Sequence, residues 1–360
     1  MMENSSREIS FVLNGLDDTW TNRQIYFALG LAAYILILFL NGTLAITIIL
    51  DKTLHEPMFL FLCNLFISAV CGTSAFYPKI LTNIVTDTYV ISYTGCLSQM
   101  FIMYCYIFCD FTCLTVMSYD RYVAICKPLE YHSIMTLQKG VKLLIFIWFT
   151  TVLETSIGTY LTARLQLCSN KIDKPYCSNW EVVKLACTDV TVNNVYGYCL
   201  IFYHTFQSIF VVISYVLIIR ASLHSKTGRV KFMQTCLPHL LSLLTFTVSL
   251  VFDAMYSRYG NKQGHQTLHN ILGMEFIIVS PLLNPIIYGI KLTQIRHGFV
   301  KLYRQRVKAL LLEFVIVPPI LNPIIYGIKL TQIRHGFVKL YRQRVYHTLD
   351  ISKCKKFLMQ

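Results

Sequence analysis

Seven long apolar runs constrain this chain more than any other feature of its sequence. A membrane-spanning helix needs roughly 20 mostly apolar residues, and the first run, Ile25–Leu50, has 26 residues without a charged side chain. The other six runs are Met58–Phe76, Leu97–Ile125, Leu143–Thr162, Val190–Ile219, Phe232–Phe252 and Leu268–Ile290. A membrane β-barrel would instead show segments of about ten residues with alternating hydrophobicity. The pattern predicts an all-α membrane protein with a seven-transmembrane helix bundle, and it argues against a soluble protein.

The placement of lysine and arginine predicts the orientation of these spans. Basic residues are concentrated after the third, fifth and seventh runs, at positions such as Arg121, Arg229 and Lys301. Because positively charged segments stay on the cytosolic side, we expect residues 1–24 to be extracellular. These residues show no secretory signal-peptide pattern. Asn4 begins the sequon Asn-Ser-Ser in this region and is a predicted glycosylation site.

The formal net charge of +14 first suggests a nucleic-acid partner, since 32 Lys and Arg residues outnumber 18 Asp and Glu residues. However, the basic excess falls mostly in the predicted cytosolic segments, where it faces anionic lipid headgroups. The sequence contains neither zinc-finger spacing nor an RNA-binding motif. We therefore predict the lipid bilayer as a partner and no nucleic-acid partner.

Four of the thirteen cysteines fall in predicted extracellular segments: Cys96, Cys168, Cys177 and Cys187. That compartment is oxidising and the number is even, which predicts two disulfides. The spacing alone leaves three pairings open. Metal binding is a weaker alternative, because these four cysteines contain no C-x-x-C pair.

Two motifs lie near the ends of the third and seventh runs. Asp120-Arg121 stands at the predicted cytosolic boundary. Arg121 keeps its charge and needs a carboxylate or a polar cleft, and Asp120 can supply the carboxylate. In the seventh run Asn284-Pro285 precedes Tyr288, and a proline there frees a backbone carbonyl and kinks the helix. Both motifs suit helices that move relative to one another.

Four longer strings, taken in order, resemble the odorant receptors, a family of rhodopsin-like G protein-coupled receptors. They are Pro57–Leu65, Met117–Cys126, Lys231–Leu240 and Pro281–Tyr288. The resemblance extends over residues 1–307. It implies a seven-transmembrane receptor domain over residues 25–290, then a short cytosolic amphipathic helix over residues 291–307, in the plasma membrane.

The resemblance also implies a disulfide pairing, a switch and partners. The implied disulfides are Cys96–Cys177 and Cys168–Cys187. The implied partners are a small odorant and the stimulatory-type G protein of olfactory neurons, which raises cyclic AMP. The implied activation switch consists of Asp120, Arg121, Tyr122, Tyr215, Asn284, Pro285 and Tyr288.

Two positions depart from the patterns that the resemblance implies. Ala69 stands where many receptors of this class carry an acid that helps to form a sodium site. Asp110 matches a third-span acid of odorant receptors. We expect it to be protonated or hydrogen-bonded near Asn41 and Asn284 rather than to form a sodium site alone. Thr247 replaces an aromatic residue that is common in the sixth span of the family.

Three further acids lie in or near the predicted spans. An intramembrane charge is costly and marks a functional or paired site. Asp253 is near the outer end of the sixth run, so we expect it to be solvated. Glu154 and Glu275 are left without an assigned role.

A ligand pocket is expected between the outer halves of spans three, five, six and seven. The expected lining is mostly apolar with a few polar groups, as in other small-ligand sites. For each residue, ordinary packing between helices is the alternative. Helical spacing selects Met103, Tyr104, Ile107, Phe108, Cys199, Tyr203, His204, Val251, Ala254, Met255, Arg258, Met274 and Ile277.

Arg258 is the most specific member of this set. No acid follows it within ten residues, and a guanidinium can bind a carboxylate through two parallel hydrogen bonds. Arg258-Tyr259-Gly260 also resembles the branch of odorant receptors that favours polar odorants. We hypothesise that Arg258 anchors an anionic odorant. The alternative is that its side chain extends to a lipid phosphate.

Other functions receive less support from the sequence. A transporter would show repeats that pair whole helix bundles, or broken helices around a midplane site. A membrane enzyme would show a nucleophile–base set, H-E-x-x-H or a phosphate-binding loop. None of these is present, so we expect neither enzymatic activity nor a cofactor. A rhodopsin-like receptor for a non-odorant ligand is the nearest alternative.

One stretch of 25 residues occurs twice, because Leu283–Val307 recurs identically as Leu321–Val345. Segment 308–345 therefore copies the end of the seventh span and the helix after it, and a tail follows over residues 346–360. Basic clusters on both flanks argue against an eighth span. We interpret the repeat as a tandem duplication or an error in gene assembly.

Overall fold

The computed structural model describes residues 10–14, 20–223, 237–259 and 275–291, together with residues 295, 297, 298, 300, 301 and 304. Several predictions concern residues outside these ranges: the glycosylation site Asn4, the pocket residue Met274, the duplicated segment 308–345 and the tail 346–360.

The described residues include seven long helices, and each of them overlaps one of the seven predicted runs. Three short helical elements lie between them in the described part of the chain: a 3-10 turn (Lys52–Leu54), α4 (Tyr131–Ile134) and α6 (Asn179–Val183). The long helices are α1 (Trp20–Leu50), α2 (Pro57–Thr86), α3 (Tyr93–Cys126), α5 (Leu137–Ala163), α7 (Thr191–Leu223), α8 (Leu237–Tyr259) and α9 (Glu275–Lys291). The predicted all-α fold class is thus confirmed.

Five of these helices, α1, α2, α3, α5 and α7, are long and apolar enough by themselves to cross a membrane. In α9 the apolar stretch Phe276–Tyr288 is shorter. Several large apolar side chains on the outside of the bundle are exposed, among them Phe39, Phe149 and Phe202. A water-soluble protein rarely exposes so much contiguous apolar surface, so these helices present a lipid-facing surface.

Helix α3 lies at the centre of the bundle. It contacts α2, α5, α7 and α8. In its most apolar stretch 72% of the residues are buried, compared with 22% for α5. On the other side α1 contacts α2 and α9, and α9 also contacts α8. Residues on α3 can therefore face several neighbouring helices at once.

Two hydrogen bonds tie the proline-containing helix α9 to its neighbours. Pro285 has no N–H group to donate to the carbonyl of Pro281. Asn41 Nδ2 on α1 donates to that carbonyl oxygen instead, at 2.9 Å. Tyr106 Oη on α3 donates to the Phe276 carbonyl, also at 2.9 Å. Asn41 thus replaces the hydrogen bond that Pro285 removes, and Tyr106 adds a second link between α9 and a neighbouring helix.

A small three-stranded sheet covers one end of the bundle, which we call the sheet end. Strand β1 (Ser10–Leu13) pairs antiparallel with β2 (Val90–Ser92) and parallel with β3 (Lys171–Ile172). Phe11 and Leu13 point into a buried cluster that includes both cysteines of one disulfide. The sequence predicted an extracellular position for residues 1–24 but did not predict this strand.

Replacing Phe11 with alanine should lower the free energy of unfolding by about 3–5 kcal/mol, because the side chain is fully buried beneath the sheet. The adjacent Val12 is 40% exposed, so Val12→Ala is a matched control that should cost only about 0.5 kcal/mol. Thermal unfolding of the detergent-purified protein measures both changes. Equal shifts for the two variants would contradict a structural role for this strand.

At the opposite end of the bundle, an ion pair connects the turn after α1 to the segment after α9. Lys301 Nζ lies 3.0 Å from Asp51 Oδ1. The hydrogen bond from Lys301 lowers the pKa of the Asp51 carboxyl below its ordinary value. A Cβ atom at Gly298 would lie 3.1 Å from Asp51 Oδ2, so this glycine permits the close approach.

Candidate ligand-binding site

A cavity of about 140 Å³ lies near the sheet end of the bundle. Side chains of α3, α5, α7 and α8 form most of its wall, together with Phe276 of α9. The segment between α5 and α7 contributes four residues: Tyr176, Ser178, Asn179 and Trp180. An apolar cavity of roughly 150 Å³ is large enough to bind benzene. The size and the mainly apolar wall therefore suit a small molecule.

Eight residues that the sequence predicted for the pocket line this cavity. They are Met103, Tyr104, Ile107, Phe108, His204, Val251, Ala254 and Arg258. All four α3 residues are included because α3 is enclosed by other helices, so its pocket-facing side follows directly from helical spacing.

Four other predicted residues do not line the cavity: Cys199, Tyr203, Met255 and Ile277. On α7 the cavity is lined by residues such as Leu200 and Ile201, which lie between the predicted Cys199 and Tyr203 in the chain. Cys199 is exposed on the outside of the bundle, and Met255 is also exposed. Ile277 is fully buried in a core cluster. The structure therefore does not bring these four residues together with the eight that line the cavity.

Residues of α5 were missing from the predicted pocket. Glu154, Thr155 and Gly158 line the cavity from this helix. Glu154 carried a recognisable signal, since a charged residue within a span marks a functional or paired site. Trp180 could also have been found, because a disulfide near it fixes the loop to the top of α3.

Both disulfides implied by the family resemblance are formed. The Cα atoms of Cys96 and Cys177 are 5.4 Å apart, and those of Cys168 and Cys187 are 5.5 Å apart. The Cys177 backbone N–H also donates to Gln99 Oε1 at 3.0 Å. These links hold the loop between α5 and α7 over the cavity.

Arg258 points toward the loop that covers the cavity. Its guanidinium lies 4.5 Å from the ring centroid of Trp180 and 5.5 Å from that of Tyr198. Its Nη1 atom donates to the Ala254 carbonyl at 3.3 Å, and Nη2 is close enough to Gly197 that a Cβ atom there would collide with it. The guanidinium therefore faces α7 and the covering loop, which favours a role at the cavity over the alternative of contact with lipid phosphate.

Asp253 forms a buried ion pair with the covering loop. Lys174 Nζ lies 2.6 Å from Asp253 Oδ1, and the two side chains are 1% and 13% exposed. Burial by itself would lower the pKa of Lys174, but the neighbouring Tyr176 and Asp253 hold this pKa above its ordinary value. The prediction that Asp253 is solvated is wrong, because the loop folds inward and covers it.

The predicted switch residues lie toward the other end of α3. Arg121 pairs with Asp120, which is fully buried. Tyr131 Oη on α4 donates to Asp120 Oδ1 at 2.9 Å, a partner that the sequence did not predict. Of the remaining switch residues, Tyr215 and Tyr288 belong to the buried core of this end and Tyr122 packs against it. Asn284 and Pro285 are buried in α9.

Asp110 is fully buried in the middle of α3. Ser68 Oγ on α2 donates to Asp110 Oδ1 at 2.7 Å, and Asp110 Oδ2 has no hydrogen-bond partner among the described residues. Asn41 instead donates to the carbonyls of Ile37 and Pro281. The second-span residue that contacts Asp110 is therefore Ser68, the residue before Ala69, and the sequence analysis did not predict this contact.

The comparisons with known proteins agree with one another. The family model described as Olfactory receptor matches residues 31–306. The chain is 30% identical over 311 residues to mouse Olfactory receptor 4E2, covering 84% of this chain and 98% of that protein. It is 33% identical over 313 residues to rat Olfactory receptor 1, covering 85% and 98%.

Among solved structures, the crystal structure of squid rhodopsin superposes with a TM-score of 0.65 at 15% sequence identity. The superposition covers 82% of this chain and 89% of that one. This likeness shows the rhodopsin-like fold, and the long apolar helices make the chain a multi-pass membrane protein. Because the family match extends from the first span to the helical segment after the seventh, the chain belongs to the olfactory receptor family.

Proposed function

We propose that this protein is an odorant receptor of the plasma membrane, with its N-terminus and sheet end outside the cell. It binds small odorants in the described cavity and activates a stimulatory G protein that raises cyclic AMP. The observation that carries this proposal is the cavity itself, since a chain of this family has a small, mainly apolar site between α3, α5, α7 and α8.

The proposed action is a shift between two populations. An odorant that binds better when the outer helices move together stabilises that state. The inner end of α8 then moves outward, and Arg121 leaves Asp120 and opens a cleft for the G protein. Asp120 accepts hydrogen bonds from both Arg121 and Tyr131, so these contacts hold the inactive state. Tyr215 and Tyr288 are the proposed partners of Arg121 in the active state.

The experiment that tests this function measures cyclic AMP in cells that express the receptor, with and without a broad panel of small odorants. Surface expression is measured in parallel with an antibody to an N-terminal tag. A concentration-dependent rise in cyclic AMP is expected, and cells without the receptor serve as the control. A receptor that reaches the surface but stays silent to the whole panel would contradict the proposal.

Arg258 is the proposed anchor for the acidic group of an odorant. Among the described residues no carboxylate pairs with it, and its Nε atom is buried without a hydrogen-bond partner. The aromatic rings of Trp180 and Tyr198 hold the guanidinium in place through cation–π contacts. A ligand carboxylate would supply the acceptor that Arg258 lacks.

The variant Arg258→Ala should weaken the response to carboxylic acids about 10- to 100-fold, since a hydrogen bond to a charged group contributes roughly 1.5–3 kcal/mol. Responses to alcohols of the same chain length should change little. Concentration–response curves for both series measure the difference. Arg164→Ala, an exposed arginine at the same end of the bundle, is the control. Equal losses for acids and alcohols would contradict the anchoring role.

A further inference from the structure

The cavity has a second charged group whose role the proposed function does not explain. Glu154 on α5 lines the cavity and its side chain is only 16% exposed. Glu154 Oε2 lies 3.5 Å from His204 Nε2 on α7. Neither atom has a hydrogen-bond partner among the described residues. A carboxylate with few partners in an apolar site is costly, so this arrangement suits a site that a ligand completes.

The orientation of His204 makes this arrangement more specific. Its Nδ1 atom lies 3.4 Å from Gln207 Oε1. In the tautomer of the neutral ring whose Nδ1 donates to this oxygen, Nε2 carries a lone pair. Two acceptors, Glu154 Oε2 and His204 Nε2, then face each other. The group that satisfies both is a donor without an acceptor of its own, such as an ammonium.

Aromatic rings complete the surroundings of this pair. The His204 ring stacks on Phe108 with centroids 4.7 Å apart, and it forms a T-shaped contact with Phe111 with centroids 5.2 Å apart. Both phenylalanines line the cavity. The faces of aromatic rings attract cations, so this end of the cavity favours a positively charged group over a negatively charged one.

The charged side chains at the cavity differ in whether they have an ion-pair partner. Among the described residues, the charged side chains in its wall are those of Glu154, Asp253 and Arg258. Asp253 is paired with Lys174. One negative group, Glu154, and one positive group, Arg258, are therefore left for a ligand. We infer that the receptor recognises a small zwitterion, with a carboxylate on Arg258 and an ammonium between Glu154 and His204.

The positions of these groups along α7 set the length of the ligand. Arg258 approaches α7 at Gly197, and His204 follows seven residues later. Seven residues of helix rise about 10 Å. A hydrogen bond of about 2.8 Å at each end leaves roughly 5 Å between the ligand's two charged groups. With covalent bonds near 1.5 Å, a chain of about three methylenes spans that distance.

This inference rests on the proposed function, because it takes the cavity as the odorant site and Arg258 as the anion anchor. The test uses a series of ω-amino acids from glycine to 6-aminohexanoate. Each member is compared with the carboxylic acid, the hydroxy acid and the amine of matched length. Cyclic AMP is measured in cells, and the thermal stability of the purified receptor is measured with each compound.

The expected result is a maximum in potency near 4-aminobutanoate, about tenfold or more above butanoate, which makes only the contacts at Arg258. In Glu154→Gln this advantage should disappear while the response to butanoate is retained. Asp87→Asn is the control: Asp87 lies outside the cavity at the same end, and asparagine tolerates its positive φ of 55°. Glu154→Asp should move the maximum to a chain one methylene longer.

Two kinds of failure are distinguishable. If carboxylic or hydroxy acids act as strongly as amino acids of every length, the zwitterion inference is overturned but the odorant receptor remains. An equal loss of butanoate and 4-aminobutanoate in Glu154→Gln would overturn it in the same way. If no compound changes either cyclic AMP or thermal stability of a receptor that reaches the surface, the proposed function itself fails. The length series on the unaltered receptor tests the inference even where a variant does not fold.

Discussion

A receptor in which Lys174 is replaced by methionine should lose about 3–5 kcal/mol of unfolding free energy. The Lys174 ammonium lies 2.6 Å from Asp253 Oδ1, and its side chain is 1% exposed. Methionine has a similar length but no charge, so the Asp253 carboxylate would stay buried without this cation. Removing one member of a buried ion pair is strongly destabilising, whereas replacing both members is often close to neutral.

The double variant Lys174→Met with Asp253→Leu separates the charge from the packing. It should recover most of the lost stability, because no unpaired charge is left behind. Lys171→Met is the control, since Lys171 is an exposed lysine in the same loop. Thermal unfolding of the detergent-purified receptor measures all three. The ion pair would have no structural role if Lys174→Met unfolded like the unaltered receptor, or if the double variant were no more stable than the single one.

Loss of the disulfide between Cys96 and Cys177 should destabilise the receptor by about 4.5 kcal/mol, on the model in which a crosslink restricts the unfolded chain. The two residues are 81 positions apart. The second disulfide, Cys168–Cys187, closes a segment of only 19 positions, and its loss should cost about 3 kcal/mol. The longer crosslink also fixes the loop that covers the cavity, so its loss should weaken odorant responses as well.

The two disulfides are best removed by replacing both cysteines of each pair with serine, so that no unpaired thiol is left. Cys199→Ser is the control, because Cys199 is a free cysteine exposed on the outside of the bundle. Removing the longer crosslink should lower surface expression and the unfolding temperature more than removing the shorter one. The same loss in Cys199→Ser, or the reverse order for the two disulfides, would contradict the expectation.

The spans and the switch motif could be predicted because their signals are local. Each apolar run is composed of residues that are stable in lipid, so its composition alone predicts a span. Asp120 and Arg121 are neighbours in the chain, so their pairing can be predicted without the tertiary structure. Tyr131, the second partner of Asp120, was missed for the opposite reason. It stands eleven residues away on a separate short helix, and a tyrosine after a span carries no distinctive pattern.

All the predicted residues of α3 line the cavity, whereas on α7 only His204 of the three predicted residues does, and the difference has a physical reason. A helix in a soluble protein reveals its buried side because the other side is polar. Helix α7 faces lipid, so its outer side is apolar as well. The hydrophobic periodicity therefore does not show which side of α7 faces the cavity. The predicted Cys199 and Tyr203 therefore lie beside the cavity-lining residues of α7, whereas the predicted residues of enclosed α3 line the cavity.

The sequence by itself determined the seven spans, the family, the Asp120-Arg121 motif and the number of disulfides, because local composition and long motifs carry that information. Only the tertiary structure decided which charges meet. Lys174 and Asp253 are 79 residues apart, and Glu154 and His204 lie on different helices. Phe11 becomes a core residue only because β1 pairs with β2 and β3, which come from two other parts of the chain. In a low-dielectric interior each such charge or large side chain must find its partner in space, and the sequence order does not record those partners.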